Sequence, residues 1–208
     1  MVSALYTGGV NTLEIIAVVT GIASVLFSIR RHVLTYPVGL ISVLLYVWLC
    51  YDGGLYGDMM VNLFFAILSI TGWYAWYANA DTEHVVPISA LAKPHRYWYL
   101  CASLVLIFCI WFVLYYFTSS TVPFPDALVT GFSVVGMILM NQRKIEHWWC
   151  WIIVDACSIP LFWSKGLPLT SLQFVLLHCF AWWGFFSWRQ QLSALDNDVL
   201  KEGLNKPR

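Results

Sequence analysis

The chain has 208 residues, of which 60% are apolar and 11% charged, whereas a soluble domain carries about a quarter charged residues. Eleven basic and eleven acidic side chains cancel to a formal net charge of zero, with no basic block that would hold nucleic acid. A water-soluble globular domain is excluded, and an all-α polytopic membrane protein is left.

The first apolar stretch, Leu13–Ile29, has no Lys or Arg before it. A secretory signal needs that positive region, so the stretch reads as a retained first span. Arg30 and Arg31 follow, then a second span at Pro37–Cys50 and a third at Met59–Tyr77 that contains Asn62, Trp73 and Trp76. Asn79 to His95 is polar, with Asp81, Glu83, His84, Pro87 and Pro94, and reads as a loop rather than a domain. A fourth span follows at Tyr97–Phe117, a fifth at Ala127–Met140, a sixth at Trp148–Trp163, and a seventh at Leu167–Trp188 that contains Gln173 and His178. The second, fifth and sixth have about 14–16 residues, short of the roughly 20 that a straight span needs. Ser193 to Arg208 is polar and reads as a mobile tail. The six cysteines all lie in apolar runs without ligand spacing and serve as small apolar side chains.

Loop charge alternates. Arg30, Arg31, Lys93, Arg96, Arg143, Lys144, Arg189, Lys201, Lys206 and Arg208 fall on one side; Lys165, Asp52, Asp58 and Asp126 fall on the other. The positive-inside rule places the C-terminus in the cytoplasm and the N-terminus outside, which requires an odd number of spans.

The chain also resembles itself. Moved by 112 residues, Arg31–Trp76 lies on Arg143–Trp188, with Arg31 on Arg143, Gly54-Leu55 on Gly166-Leu167, Gly72 on Gly184 and Trp76 on Trp188. Thr20-Gly21 also resembles Thr130-Gly131, after a slip of two residues. The expected plan is one transmembrane domain with repeat one at 12–78, a linking helix at 97–117, repeat two at 126–189 and a cytoplasmic tail at 190–208. One linking helix makes the repeats parallel, a 3+1+3 arrangement whose site is expected near the midplane between the halves.

Asp155 carries most of the chemical information. It lies about eight positions into the apolar run His147–Trp163, and Trp148, Trp151 and Asp155 fall on one stripe at i, i+3, i+7. A carboxylate near mid-bilayer costs roughly 2.5–3.5 kcal/mol on insertion scales, so such residues usually face a cavity. Indole faces beside an acid suit a flat organic cation. Asp155 falls on Val43 in the first repeat, as befits a residue that meets an asymmetric ligand rather than one that holds the fold. The alternative is a packing hydrogen bond, for instance to Ser158. Asn62, Gln173 and His178 offer hydrogen bonds to a ribose or carboxamide, or between helices. Trp73, Trp76 and Trp148 lie near helix ends, where tryptophan also forms the interfacial belt. His178 has no second ligand at i+3 or i+4, so no metal is expected. With no GxxxxGK[ST], GxSxG or HExxH there is no enzyme signature, and no cofactor is expected.

Thr130-Gly131-Phe132-Ser133, Arg143-Lys144, the run Trp148 to Asp155, Lys165-Gly166-Leu167, Gly184 and Trp188, together with Tyr36-Pro37-Val38-Gly39, Asn62 and Gly72 to Trp76, resemble the bacterial PnuC family of nicotinamide riboside transporters. The likeness covers Asn11 to Trp188. It implies a plan similar to the SWEET sugar transporters, homotrimers in the inner membrane, and facilitated diffusion with trapping by a cytoplasmic kinase. Trp148 and Trp151 take the place of the family's WxxW pair, Asp155 of its following polar residue, Trp73 and Trp76 of its span 3 aromatics and Asn62 of its span 3 amide. The chain departs from the family at Gly136 and His147, where Gln and Asn are common, and has Gln173 and His178 where apolar residues are usual. Relatives of this architecture carry thiamine or riboflavin. A fixed cationic ring, as in nicotinamide riboside or thiamine, suits Asp155 better than riboflavin does. The rival readings are a carrier for a neutral solute, indifferent to ligand charge, and a membrane scaffold that binds no solute.

Overall fold

The computed structural model describes residues 12–52, 56–118, 122–164 and 168–204. Among these residues the chain forms seven helices: α1 (Thr12–Ile29), α2 (Thr35–Asp52), α3 (Tyr56–Tyr77), α4 (Lys93–Phe117), α5 (Pro123–Asn141), α6 (His147–Ser164) and α7 (Pro168–Leu204). The all-helical expectation holds. The three spans expected to be short are longer, at 18 residues for α2 and α6 and 19 for α5, because the helices take in flanking polar residues such as Asp52, Asn141 and Ser164. By length and composition α1, α2, Met59–Tyr77, α4 and α5 are able to cross a membrane. The tail expected from Ser193 is helical instead, since α7 runs on to Leu204. The reason lies in its composition: Gln190, Gln191, Leu192, Ala194 and Leu195 favour helix, and no proline lies between Pro168 and Pro207. Gly54-Leu55 and Gly166-Leu167 of the repeat match, with Lys165, Lys206 and Arg208, lie outside the described residues.

The chain divides into two compact units, residues 1–87 with 140–142, and residues 88–139 with 143–208. In the first, α1 packs on α2 and α2 on α3. Small residues set the α1–α2 contact. A Cβ on Gly21 would lie 3.0 Å from Ser42 Oγ, and one on Gly39 would lie 3.2 Å from Ser24 Oγ. The Ser42 hydroxyl donates to Ala17 O at 2.7 Å, the kind of close backbone approach that holds helices together in lipid. Asn141 joins α2 to α3: it accepts from the Tyr36 hydroxyl at 2.9 Å and donates to Leu68 O at 2.9 Å.

The last carbonyls of α5 have no partner within their own helix. Met140 O instead accepts from Trp76 Nε1 at 2.9 Å, and Trp76 is fully buried. Trp76→Phe is expected to leave that carbonyl unsatisfied and to cost about 1–3 kcal/mol, read as a lower thermal unfolding midpoint of the purified protein.

In the second unit α6 packs on α7. Leu91, Val135, Leu139 and Cys150 form a buried cluster, flanked by Tyr99, Leu106 and Phe132. Glu146 fixes the start of α4 by accepting from Leu91 N at 3.0 Å and from Arg96 Nε at 3.0 Å. The polar linker is thus tied down on both of its flanks. In the first unit Val33 N donates to His84 O and Val86 N to Arg31 O; in the second, Ser89 N donates to Arg143 O and Ile145 N to Ser89 O.

At the offset of 112 residues the same local features recur. Arg31 and Arg143 both take left-handed backbone, with φ of 58° and 59°. His32 N donates to Phe27 O as Lys144 N does to Leu139 O. Tyr36 meets Trp76 edge-on at 5.2 Å, and Trp148 meets Trp188 edge-on at 5.8 Å. Gly72 lies against the Tyr36 ring and Gly184 against the Trp148 ring.

Candidate functional site

The register of α6 on α7 is set at its two ends. Gly184 lies under the Trp148 ring at one end; at the other, Phe162 stacks on Phe174 at 5.1 Å and the Ser171 hydroxyl donates to Ile159 O. This antiparallel register puts Gln173 at the level of Ser158 and His178 at the level of Val154. Asp155, Ser158, Gln173 and His178 therefore share about two turns of one helix pair. Pro160 adds a further polar group at this level: it has no N–H to donate, so the Ala156 carbonyl loses its usual helical partner.

Asp155 is only 5% exposed, and among the described residues it has no hydrogen-bond or ion-pair partner. Ser158 is fully buried, and its hydroxyl has no partner there either. The packing alternative, an Asp155–Ser158 hydrogen bond, is absent. A nearly buried carboxylate and a fully buried hydroxyl thus share one face, and neither is engaged by the fold among the described residues. Burying such groups is costly unless something else completes their hydrogen bonds.

Trp151 is partly buried on the same face, and its ring runs over Gly136, whose Cβ would lie 3.4 Å from Trp151 Cε2. The closest approach at Gly136 is to Cys150, whose Cβ would lie 3.0 Å from an added Cβ, and the edge of the Trp151 ring sits beside it at ordinary contact distance. Trp148 is 2% exposed, closed in by Gly184, His147 and Trp188. Its faces are spent on packing, yet its Nε1 has no partner among the described residues. His147, fully buried, directs Nδ1 to Lys144 O at 2.7 Å, which leaves Nε2 as a buried acceptor with no partner among the described residues.

His178 Nε2 accepts from Trp182 Nε1 at 3.1 Å. Its proton must then be on Nδ1, a buried donor with no partner among the described residues. Gln173 is partly buried. In the first unit Asn62 is partly buried, Trp73 is 39% exposed, and the enclosed Trp76 has no face open to a solute. Sequence reading singled out neither Ser158 as a ligand group nor Asn141. Ser158 was visible as the next polar residue on the Asp155 face, whereas Asn141 stood just past the end assigned to its span.

A family model described as nicotinamide mononucleotide transporter matches residues 11–190. The chain belongs to this family. Among curated relatives, the nicotinamide riboside transporter PnuC of Neisseria mucosa is 32% identical over 185 residues, covering 83% of this chain and 70% of the relative. PnuC of Escherichia coli is 25% identical over 201 residues, covering 85% and 84%. The riboflavin/roseoflavin transporter RibM of Streptomyces davaonensis is 23% identical over 178 residues, covering 84% and 83%. A crystal structure of the vitamin B3 transporter PnuC superposes with a TM-score of 0.72 at 30% identity, over 88% of this chain and 82% of that one. Within this transporter family's fold, α6 carries a buried acid, Asp155, that has no hydrogen-bond or ion-pair partner among the described residues and lies one turn from the partly buried Trp151.

Proposed function

We propose that the protein carries nicotinamide riboside across the membrane by facilitated diffusion. The observation that carries the reading is Asp155, a buried carboxylate with no partner among the described residues, on the face it shares with Trp151. The pyridinium ring has a fixed positive charge and a flat π-face. Asp155 offsets the charge, Trp151 stacks on the ring, and Gln173, Ser158 and the Nδ1–H of His178 hydrogen-bond the ribose or carboxamide. On α3, Trp73 and Asn62 are proposed as solute contacts of their own unit.

The family description names the mononucleotide, and the PnuC relatives are named for the riboside. Charge favours the riboside. No Lys or Arg lies between Lys144 and Lys165 on α6, or between Lys165 and Arg189 on α7, so nothing at the level of Asp155 would hold a phosphate. Asp155 would repel one.

Facilitated diffusion needs a sink. A cytoplasmic kinase that phosphorylates the vitamin supplies it, because the phosphate, which Asp155 repels, keeps the product from crossing back. The basic-loop bias supports an inner-membrane protein with its C-terminus in the cytoplasm, and homotrimers are the assembly proposed from the family.

Tryptophan fluorescence of the purified protein tests the substrate. Nicotinamide riboside is expected to quench saturably, with thiamine weaker and riboflavin, nicotinamide mononucleotide and a neutral sugar weaker still. Equal quenching by the sugar would favour a neutral-solute carrier. Silence with all five would return Asp155 to a packing role.

A further inference from the structure

The side of α6 opposite Asp155 borders a different space. Ile153 precedes Asp155 by two residues, about 200° around the helix, and lines a cavity of about 540 Å³ in the second unit. Tyr99, Leu100 and Ile153 make part of its apolar wall; Arg96, Glu146 and Arg189 are its charged residues. Because this wall faces away from Asp155, the cavity is distinct from the proposed solute site.

The charges are unevenly engaged. Arg96 Nε meets Glu146 Oε1 at 3.0 Å, and Glu146 also accepts from Leu91 N. Those two charges cancel, and the acid is occupied in holding α4. Arg189 is exposed and has no ion pair among the described residues, so the cavity keeps one net positive charge. That charge lies where the apolar part of α7 ends, directly after Trp188, and Arg96 lies in the first turn of α4. Leu100 lies about 10 Å further along α4 from Lys93, within the apolar run. The cavity is therefore cationic at the level of the membrane interface and apolar toward the hydrocarbon.

We infer that this cavity seats an anionic phospholipid. Arg189, with the outer edge of Arg96, receives the phosphate, and one acyl chain lies along Leu100, Tyr99 and Ile153. In a bilayer an apolar recess is filled by chains, and a cationic rim between helices selects an anionic head group. The inference does not depend on which solute is carried.

Native mass spectrometry of the full chain in detergent tests it, with phosphatidylglycerol and phosphatidylcholine of identical acyl chains as probes. The parent protein is expected to retain phosphatidylglycerol about fivefold better than phosphatidylcholine, the preference that one interfacial arginine supplies. Arg189→Gln is expected to abolish the preference. Arg30→Gln removes an exposed arginine outside the cavity and is expected to leave it intact. Leu100→Trp, which crowds the apolar wall, is expected to lower retention of both lipids equally. Equal retention of the two lipids by the parent, or an unchanged preference in Arg189→Gln, would overturn the inference. So would Leu100→Trp splitting an oligomer while lipid retention stays the same, since the cavity would then be an interface between copies.

Discussion

Asp155→Asn is expected to weaken nicotinamide riboside binding about thirtyfold or more and to lower uptake at limiting substrate in proportion. Asparagine keeps the size and the hydrogen-bonding oxygen but removes the charge. Loss of one partner from a buried charge pair costs about 2–5 kcal/mol, and the lower end already gives that factor. Stability should move the other way. Among the described residues the carboxylate makes no hydrogen bond or ion pair, so its removal relieves burial of an uncompensated group, and the unfolding midpoint should hold or rise. Binding titrations and thermal unfolding on one preparation check both halves. A variant that binds normally sinks the electrostatic role. A variant that binds poorly because it unfolds shows instead that Asp155 holds the fold.

Gly184→Leu is expected to destabilise the second unit by about 2 kcal/mol, and to lower the unfolding midpoint by several degrees. A Cβ at 184 would run into the Trp148 ring, which has no room to retreat because His147 and Trp188 enclose it. Two effects compete. Leucine gains up to about 1 kcal/mol of helix propensity over glycine. Overpacking against an immobile indole costs about 1–3 kcal/mol even for small additions, and leucine adds four heavy atoms, so the clash wins. Trp148→Ala in the same chain should recover part of the loss, since it empties the space that leucine needs. Gly184→Leu as stable as the parent would show that α6 and α7 do not depend on this contact.

Much of the helical plan was legible because lipid imposes a simple rule: each crossing must be apolar for its whole length. That rule locates the apolar part of each of α1 to α7 and hides the helix ends, where polar residues extend a helix without interrupting it. Asp52, Asn141 and Ser164 fall outside the apolar spans for this reason, yet they complete α2, α5 and α6. Past Trp188 the rule falls silent, and helix propensity alone carries α7 to Leu204.

At the site, Asp155 was legible because an acid is rare and costly inside a membrane. Whether it was engaged by the fold was not legible, since i, i+3 spacing allowed a bond to Ser158 that the structure does not make. The tryptophans show the same limit more sharply. Trp148 and Trp151 have one sequence pattern between them, but Trp148 is sealed against Gly184 and Trp188, while Trp151 lies partly buried over Gly136.

The sequence by itself determined that this is a membrane transporter of helical build, where its acid lies along the sixth helix, and which residues share that face. The helical build, the acid and its face follow from composition and periodicity, and the transporter reading follows from the resemblance of the motifs to a known family. Only the tertiary structure decided which polar groups are spent on packing and which stay without a protein partner. A hydrogen bond such as that from Trp76 to Met140, or the enclosure of Trp148, depends on which residues distant in the chain meet across helices, and local spacing does not encode that.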